Sequence, residues 1–411
     1  ELVGLLEDCL DVEQIQYNEG PNAISYLFDL SPLGFSGMDY NVLVVSHPPK
    51  NEEEQKQQAD FLSWQKSAAE TLGFAFQLYL SKEPVPKNPF VQSSVDPVFL
   101  CGNDLERLLT EAIPKMALAA IIRKQTPLHR LCPFTTSVEA SGAMFHGRKS
   151  ELRLLVEDLD KSVAITGARR VGKTSLMKRA YNILRTRLSN GRQRVFYFNA
   201  LSWSSFWHCC WMLAHKIDPK SELRLEKNPE GNIWYMLERC SHHGTRPLYL
   251  FFDEIDSLID FDAANGWRFF KLLAEAREAG YVRFVVAGYR SIPRLVFGQS
   301  GTRAKTMPAG VGVQQADTPL LLAMEYLELG PLSKKEVDSL LTEPVRGVEM
   351  KFENEPAILD QVWKSTIGSP FLVQLFGQRL FRLGVERSPQ QITVEDVAAV
   401  ERSSALREFL T

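Results

Sequence analysis

Long apolar runs are missing from this chain of 411 residues. The longest, Met116 to Ile122, falls far short of the ~18 residues that a membrane-spanning helix needs. The opening residues, Glu1-Leu-Val-Gly-Leu-Leu-Glu-Asp8, are acidic and lack the basic start of a secretory signal. They also lack an initiator Met, as expected of a chain trimmed from a longer one. Cysteine is sparse and scattered: Cys9, Cys101, Cys132, Cys209, Cys210 and Cys240 have no framework spacing and no C-x-x-C pair. A disulfide scaffold is therefore excluded, and reduced thiols in a cytoplasmic protein are expected. Metal-type side chains gather at His208-Cys209-Cys210 with His215 and at Cys240 with His242-His243. A zinc site prefers closely paired cysteines, so these read as core rather than as ligands. Trp203, Trp207 and Trp211 recur there every four residues, which predicts a helix face packed into a core. Internal repeats and low-complexity tracts are absent too, which removes solenoid and fibrous architectures.

Net charge is small as well, −3 overall. It is unevenly spread, with −9 over residues 1–145 and +6 over the remainder. An acidic front does not suit a nucleic-acid platform, and the basic rear is weak evidence for an anionic partner. What is present is ordinary for a globular protein: 45% hydrophobic and 24% charged residues. The length allows two or three domains, each with its own core.

The most informative stretch is Ser162 to Leu176. It contains G-x-x-x-x-G-K-[ST] as Gly167, Gly172, Lys173 and Thr174. An apolar run (Val163 to Thr166) precedes it and a helix-like run (Thr174 to Leu188) follows. Strand, glycine loop and helix start form a cradle in which backbone N–H groups point at phosphate oxygens. The residues expected to contact a polyphosphate are Gly167, Arg170, Val171, Gly172, Lys173, Thr174 and Ser175. Lys173 supplies a mobile charge to the β- and γ-phosphates, and Thr174 offers a hydroxyl to Mg²⁺. The expected cofactors are thus a nucleoside triphosphate and magnesium.

A second element supports the first. Leu248 to Phe252 is an apolar run suited to a strand buried on both faces, and it ends in Asp253-Glu254. Alone, this reads as a strand ending in a solvated acidic turn. With the loop upstream, Asp253 is expected to hold Mg²⁺, and Glu254 to orient or deprotonate the attacking water. Both acids are expected to face the loop across neighbouring strands.

Along the chain, residues 1–133 read as a separate N-terminal α/β domain. Its strands are expected at Ala23–Asp29, Asn41–Ser46, Phe74–Leu80 and Pro97–Cys101. Helices are expected at Asn51–Gly73 and at Asn103–Lys124, the latter interrupted near Pro114. Residues 134–143 read as a linker. Residues 144–329 form the expected core, with strands after the loop at Val195–Asn199, Leu248–Phe252, Val282–Ala287 and Glu325–Leu329. Helices alternating with them predict a doubly wound parallel sheet, an α/β fold of the P-loop NTPase kind. Gly298–Thr318 is rich in Gly, Gln, Ser and Thr and reads as a mobile loop. From 330 to 411 the chain reads as a helical lid, with a capping box at Ser333/Glu336, a similar start at Thr393/Asp396 and a break at Gly368-Ser-Pro370.

Together these motifs resemble a family. Phe145-His-Gly-Arg148 with Glu151, Gly167-Ala-Arg-Arg-Val-Gly-Lys-Thr174, Phe252-Asp-Glu254, Ala287-Gly-Tyr-Arg290, Gly330-Pro-Leu-Ser333 and Gly368-Ser-Pro370 are similar to motifs of the STAND class of signal-transduction ATPases, AAA-like relatives of archaeal ATPases and bacterial NACHT-type switches. The resemblance covers about residues 144–400. It implies that Phe145, Gly147 and Arg148 line the adenine and ribose, that Arg290 reads the γ-phosphate, and that Pro370 packs on the base. By sequence alone, Arg290 is equally a solvated strand end and Pro370 a helix breaker. AAA+ motors usually carry Asn, Ser or Thr where this chain has Gly288-Tyr289-Arg290, which favours a switch over a motor. The class often continues into a winged helix, whereas this chain ends at Thr411, so it is either cut short or regulates itself differently. The N-terminal domain faintly resembles a restriction-nuclease-like core. Asp39 would be its first acid, but Gln77-Leu-Tyr79 offers neither acid nor lysine, so a degenerate binding domain is expected.

The resulting expectation is an ATPase: ATP or ADP with Mg²⁺, catalytic Glu254, Lys173 and Arg290, metal held by Thr174 and Asp253, and slow turnover. It would switch conformation and couple nucleotide state to a protein partner or to self-association. The alternative is an AAA+ ATPase that binds or remodels DNA. No Asn-Lys-x-Asp stretch follows to read guanine, which favours adenine. An arginine supplied in trans would be Arg294 or Arg303.

Overall fold

The structure is a computed structural model. It describes residues 144–188, 194–219, 228–289 and 324–403 and, before them, 17–20, 23–27, 40–45, 51–54, 56–57, 74–80, 96–100, 102–111, 114–125, 128, 131–136 and 140. The chain divides into two compact units: residues 147–332 form one, and residues 1–146 together with 333–411 form the other.

In the second of these, five strands lie side by side in chain order: β1 (Tyr17–Gly20), β2 (Ala23–Leu27), β3 (Tyr40–Val45), β4 (Phe74–Leu80) and β5 (Asp96–Leu100). The first two pairings are antiparallel, and β3–β4 and β4–β5 are parallel. Four of the strands match expectation within two residues. β1, Tyr-Asn-Glu-Gly, was not foreseen, because only its Tyr favours strand. Helices α1 (Gly102–Thr110) and α2 (Pro114–Gln125) divide at Pro114, which cannot continue a helix but can open one. α2 buries Ala117, Leu118, Ile121 and Ile122 along one face. Of the helix expected at Asn51–Gly73, only short pieces near its start are described, and Asp39 lies outside the described residues.

The same unit holds the rear helices: α9 (Lys334–Gly347), α10 (Glu355–Thr366), α11 (Pro370–Val385) and α12 (Val394–Arg402). Both expected starts are true capping boxes, Ser333 with Glu336 and Thr393 with Asp396. A two-residue parallel pair, β11 (Lys351–Phe352) with β12 (Gln391–Ile392), joins them and carried no sequence signal. Phe134, placed by the sequence in a linker, is 1% exposed and fills the notch left by Gly377 of α11. A Cβ on Gly377 would meet that ring well inside van der Waals contact. Beside it, the Thr135 N–H donates to Gln374 Oε1 at 3.2 Å. Arg123 of α2 donates to the Gly347 carbonyl and pairs with Glu349 at 3.2 Å. Front and rear segments therefore belong to one compact unit.

The unit of residues 147–332 is the expected doubly wound sheet. Its elements run α3 (Lys149–Glu157), β6 (Val163–Gly167), α4 (Lys173–Leu188), β7 (Val195–Asn199), α5 (Phe206–Ile217), α6 (Pro229–Cys240), β8 (Leu248–Asp253), α7 (Asp256–Ala264), α8 (Arg268–Glu278), β9 (Val282–Ala287) and β10 (Glu325–Leu329). All five strands are parallel, in the order β10-β6-β9-β8-β7. Alternation sends Phe196 and Phe198 to one face, where Phe198 stacks on Phe252 at 5.2 Å and Trp203 edges both. On the other face Tyr181 of α4 meets Tyr197 and Phe251 edge-on.

The tryptophan stripe departs from its reading. Trp203 is buried at 1%, but it precedes α5 and belongs to a turn. Trp207 and Trp211 are on α5 and are 50% and 40% exposed. Cys209, Cys210 and Leu213 take the core side of that helix, and burial pushes both thiols up to about 12. A four-residue spacing marks one helix face but does not say which face is inward.

Candidate nucleotide-binding site

The site is built where β6, β8 and β9 end. β6 feeds the glycine loop, and α4 begins at Lys173, so the loop lies against a helix N-terminus with its positive end. Two glycines are required for different reasons. Gly167 has φ +141°, and a Cβ there would stand 2.6 Å from the Leu329 carbonyl oxygen of β10. Gly172 has φ +96° with open space around it, so only its backbone conformation excludes a side chain. Arg170 also adopts positive φ, 61°, a conformation uncommon for a non-glycine residue. Val171 is buried and anchors the loop from beneath.

Lys173 Nζ donates to the carbonyls of Gly167 and Ala168, each at 3.0 Å. Burial lowers its pKa, opposed by the charges of Glu254, Asp253 and Asp256. Loop and carboxylates thus share one electrostatic field. They do not sit on adjacent strands, however, because β9 lies between β6 and β8. That intervening strand brings Tyr289, whose ring centroid lies 5.7 Å from Lys173 Nζ and 5.9 Å from Arg169 Cζ. The Tyr289 N–H donates to Asp256 Oδ2 at 2.6 Å.

Asp253 closes β8 and is 3% exposed. Its Oδ2 accepts from the Tyr197 hydroxyl at 2.6 Å, and its Oδ1 from the Glu254 N–H at 3.0 Å. Each oxygen keeps a lone pair for water or metal. Glu254 follows at φ +55°, exposed, in the left-handed region. Partial burial and the neighbouring Asp253 raise its carboxyl pKa, while Lys173 pulls the other way. Among the described residues no group of three His, Cys, Asp or Glu could hold a metal unaided. Thr174 and Asp253 carry oxygen donors of the kind that a magnesium ion prefers.

Arg148 is 7% exposed and spent on protein groups. Its guanidinium pairs with Glu151 at 3.2 Å and donates to the carbonyls of Val171 and Gly330. It ties the start of α3 to the loop and to the end of β10. Phe145 and Pro370 belong to the other compact unit. Arg290, Arg294, Arg303 and the stretch Gly298–Thr318 lie outside the described residues. Sequence reasoning missed Tyr197 and Asp256. Tyr197 alternates with Asn199 on β7, and only the pairing of Asn199 with Asp253 places its hydroxyl at that carboxylate.

Among the described residues no helix is long and apolar enough to cross a membrane. A family model described as novel STAND NTPase 1 matches residues 127–400, beginning ahead of Phe134. No curated protein matches the chain. Among solved structures it is similar to the ORC2 protein of Aeropyrum pernix in ADPNP and ADP complexes, at 12% identity over 62% of this chain and 68% of that one, with a TM-score of 0.46. It is also similar to a Walker-type ATPase of Pyrococcus abyssi, at 17% identity over 66% and 77%, with a TM-score of 0.45. For domain III of the replication initiation protein DnaA of Thermotoga maritima, the values are 12% identity, 62% and 90%, and 0.40.

Proposed function

We propose, from the premise that this chain belongs to the novel STAND NTPase 1 family, that it is a slowly hydrolysing, ATP-dependent conformational switch of the cytoplasm. Its nucleotide state sets binding to a protein partner or to further copies of itself. The single observation that carries this reading is the convergence of Lys173, Asp253 and Glu254 around a loop whose lysine rests on its own carbonyls.

An incoming triphosphate takes the N–H groups between Gly167 and Ser175, and Lys173 leaves the two carbonyls for the β- and γ-phosphates. Thr174 and Asp253 would hold magnesium, which would supply positive charge to the phosphates. Glu254 orients a water and accepts its proton. Arg290 reads the γ-phosphate, and Gly147 faces the adenosine. Arg148, with its bonds already made to Val171 and Gly330, keeps the loop in shape. Residues 144–329 act as the ATPase core, while the lid, 330–411, and the sensing domain, 1–133, act together as parts of one compact unit. Slow turnover suits a device that must hold its state between signals.

Denaturing the purified protein and separating the released nucleotide tests this. About one ADP or ATP per chain is expected, together with a change in mass on exchange from ADP to ATP. An empty site, with no thermal stabilisation by either nucleotide, overturns the reading. Salt-dependent DNA binding that stimulates hydrolysis would favour the DNA-remodelling alternative.

A further inference from the structure

A cavity opens at the opposite end of the parallel sheet, where its strands begin. It measures about 520 Å³, and its lining includes Asp160, Lys161, Ser162, Arg277, Arg283 and Glu325. Ser162, Arg283 and Glu325 mark the starts of β6, β9 and β10, whose other ends build the nucleotide loop, carry Tyr289 and meet Arg148. Strands of this length separate the two sites by roughly 17–20 Å.

The charges in the cavity are not equally satisfied. Lys161 is paired twice, with Asp158 at 2.8 Å and Glu325 at 3.0 Å. Arg283 pairs with no carboxylate among the described residues. Its Nη1 donates to the carbonyls of Val282 at 2.9 Å and Arg277 at 3.5 Å, while its Nε is buried with no partner. Arg277 brings a second guanidinium, only 12% exposed, whose Nη2 stands 4.0 Å from Glu278. Burial lowers the pKa of Arg277, and the charge of Arg283 adds to this against Glu278. Ser162 Oγ accepts from the Phe284 N–H, which leaves the hydroxyl proton to donate. A partly buried guanidinium with an orphan N–H is costly unless an anion completes it.

We propose that this cavity binds a small molecule carrying a phosphate group, clasped by Arg283 and Arg277. Guanidinium forks match phosphate oxygens in pairs, and two forks with a hydroxyl suit a dianion better than a single carboxylate. The volume lies within the range of small-ligand sites. Occupancy pins the starts of three strands that end at the nucleotide site, which makes the ligand an effector of that site.

The test is calorimetric titration of pyrophosphate into the ADP-saturated protein, whose nucleotide loop is already filled. One pyrophosphate per chain is expected, weakened at least tenfold in Arg283→Met and Arg277→Met with ADP affinity unchanged. Without pyrophosphate, Arg283→Met is expected to melt above wild type, because it removes an unpaired buried charge. Pyrophosphate raises the Tm of wild type but not of that variant. Arg283→Lys, which keeps the charge and loses the fork, replaces Arg283→Met if the latter does not fold. Absence of pyrophosphate binding, equal binding in the Arg283 variant, or binding of citrate but not pyrophosphate each overturns the proposal. Capture of an acidic peptide in place of pyrophosphate does so as well.

Discussion

An ammonium that donates to two carbonyls of its own loop is stored, not idle, and the residues around Lys173 decide what draws it out. Glu254 is one of them. Replacing Glu254 with Gln keeps the shape and removes the base, so hydrolysis is expected to fall about 10²–10⁴-fold while ADP affinity stays. A radiolabelled turnover assay beside a binding titration checks both halves. With Glu254 as the proposed base, its upward-shifted carboxyl is expected to govern the pH dependence. A base must be ionised to work, so activity is lost as pH falls through that raised value. The acidic limb of the rate profile is therefore expected above the usual carboxylate range, and it disappears in Glu254→Gln. Tyr197 acts one bond further out. Its hydroxyl fixes Asp253 at 2.6 Å, and losing such an outer partner typically costs about tenfold or more in metal affinity. Tyr197→Phe is expected to raise the Mg²⁺ concentration needed for nucleotide retention by that factor, with the Tm barely moved.

Helix α8 offers a test one level up. Its N-cap residue, Trp267, is left-handed at φ +61° and supplies no side-chain bond. Asp262 caps it instead, accepting from the N–H groups of Phe269 and Phe270 at 2.9 and 2.8 Å while fully buried. Asp262→Ala is expected to cost about 2 kcal/mol, read from denaturant melts. Burial raises the pKa of this carboxyl, partly offset by the two N–H bonds. The folded state therefore holds the proton more tightly than the unfolded chain. This group's contribution to stability falls as pH rises from the unfolded pKa to the folded one, and that slope is absent in Asp262→Asn. α11 offers a further test. Phe134→Ala empties the Gly377 notch at about 3–5 kcal/mol, and Gly377→Ala overfills it at about 1–3 kcal/mol. Paired with Phe134→Leu, the glycine variant is expected to recover part of its loss in thermal melts.

Across the molecule, what the sequence made legible was local. Glycine spacing between an apolar run and a helix start located the loop, and five apolar residues before Asp253-Glu254 located β8. Ser333 and Thr393 announced their helices through side chains three residues away. What stayed hidden depends on which strands become neighbours. Nothing near Tyr197 says that β7 lies beside β8, and nothing near Tyr289 says that β9 separates the loop from the acids. Arg148 bonds a carbonyl at Gly330, 182 residues away, a partner no window of sequence could supply. Phe134 sits in a stretch whose small polar residues resemble a tether, yet its aromatic ring had to be buried somewhere.

That ring has a consequence for how the gene can be divided. Because the segment before position 147 packs with the segment after 332, the nucleotide-binding unit is an insert, encoded without interruption. The other unit is written in two halves, one before the insert and one after it. The insert can be subcloned as a single reading frame. Its host becomes a single reading frame once residue 146 is joined to residue 333.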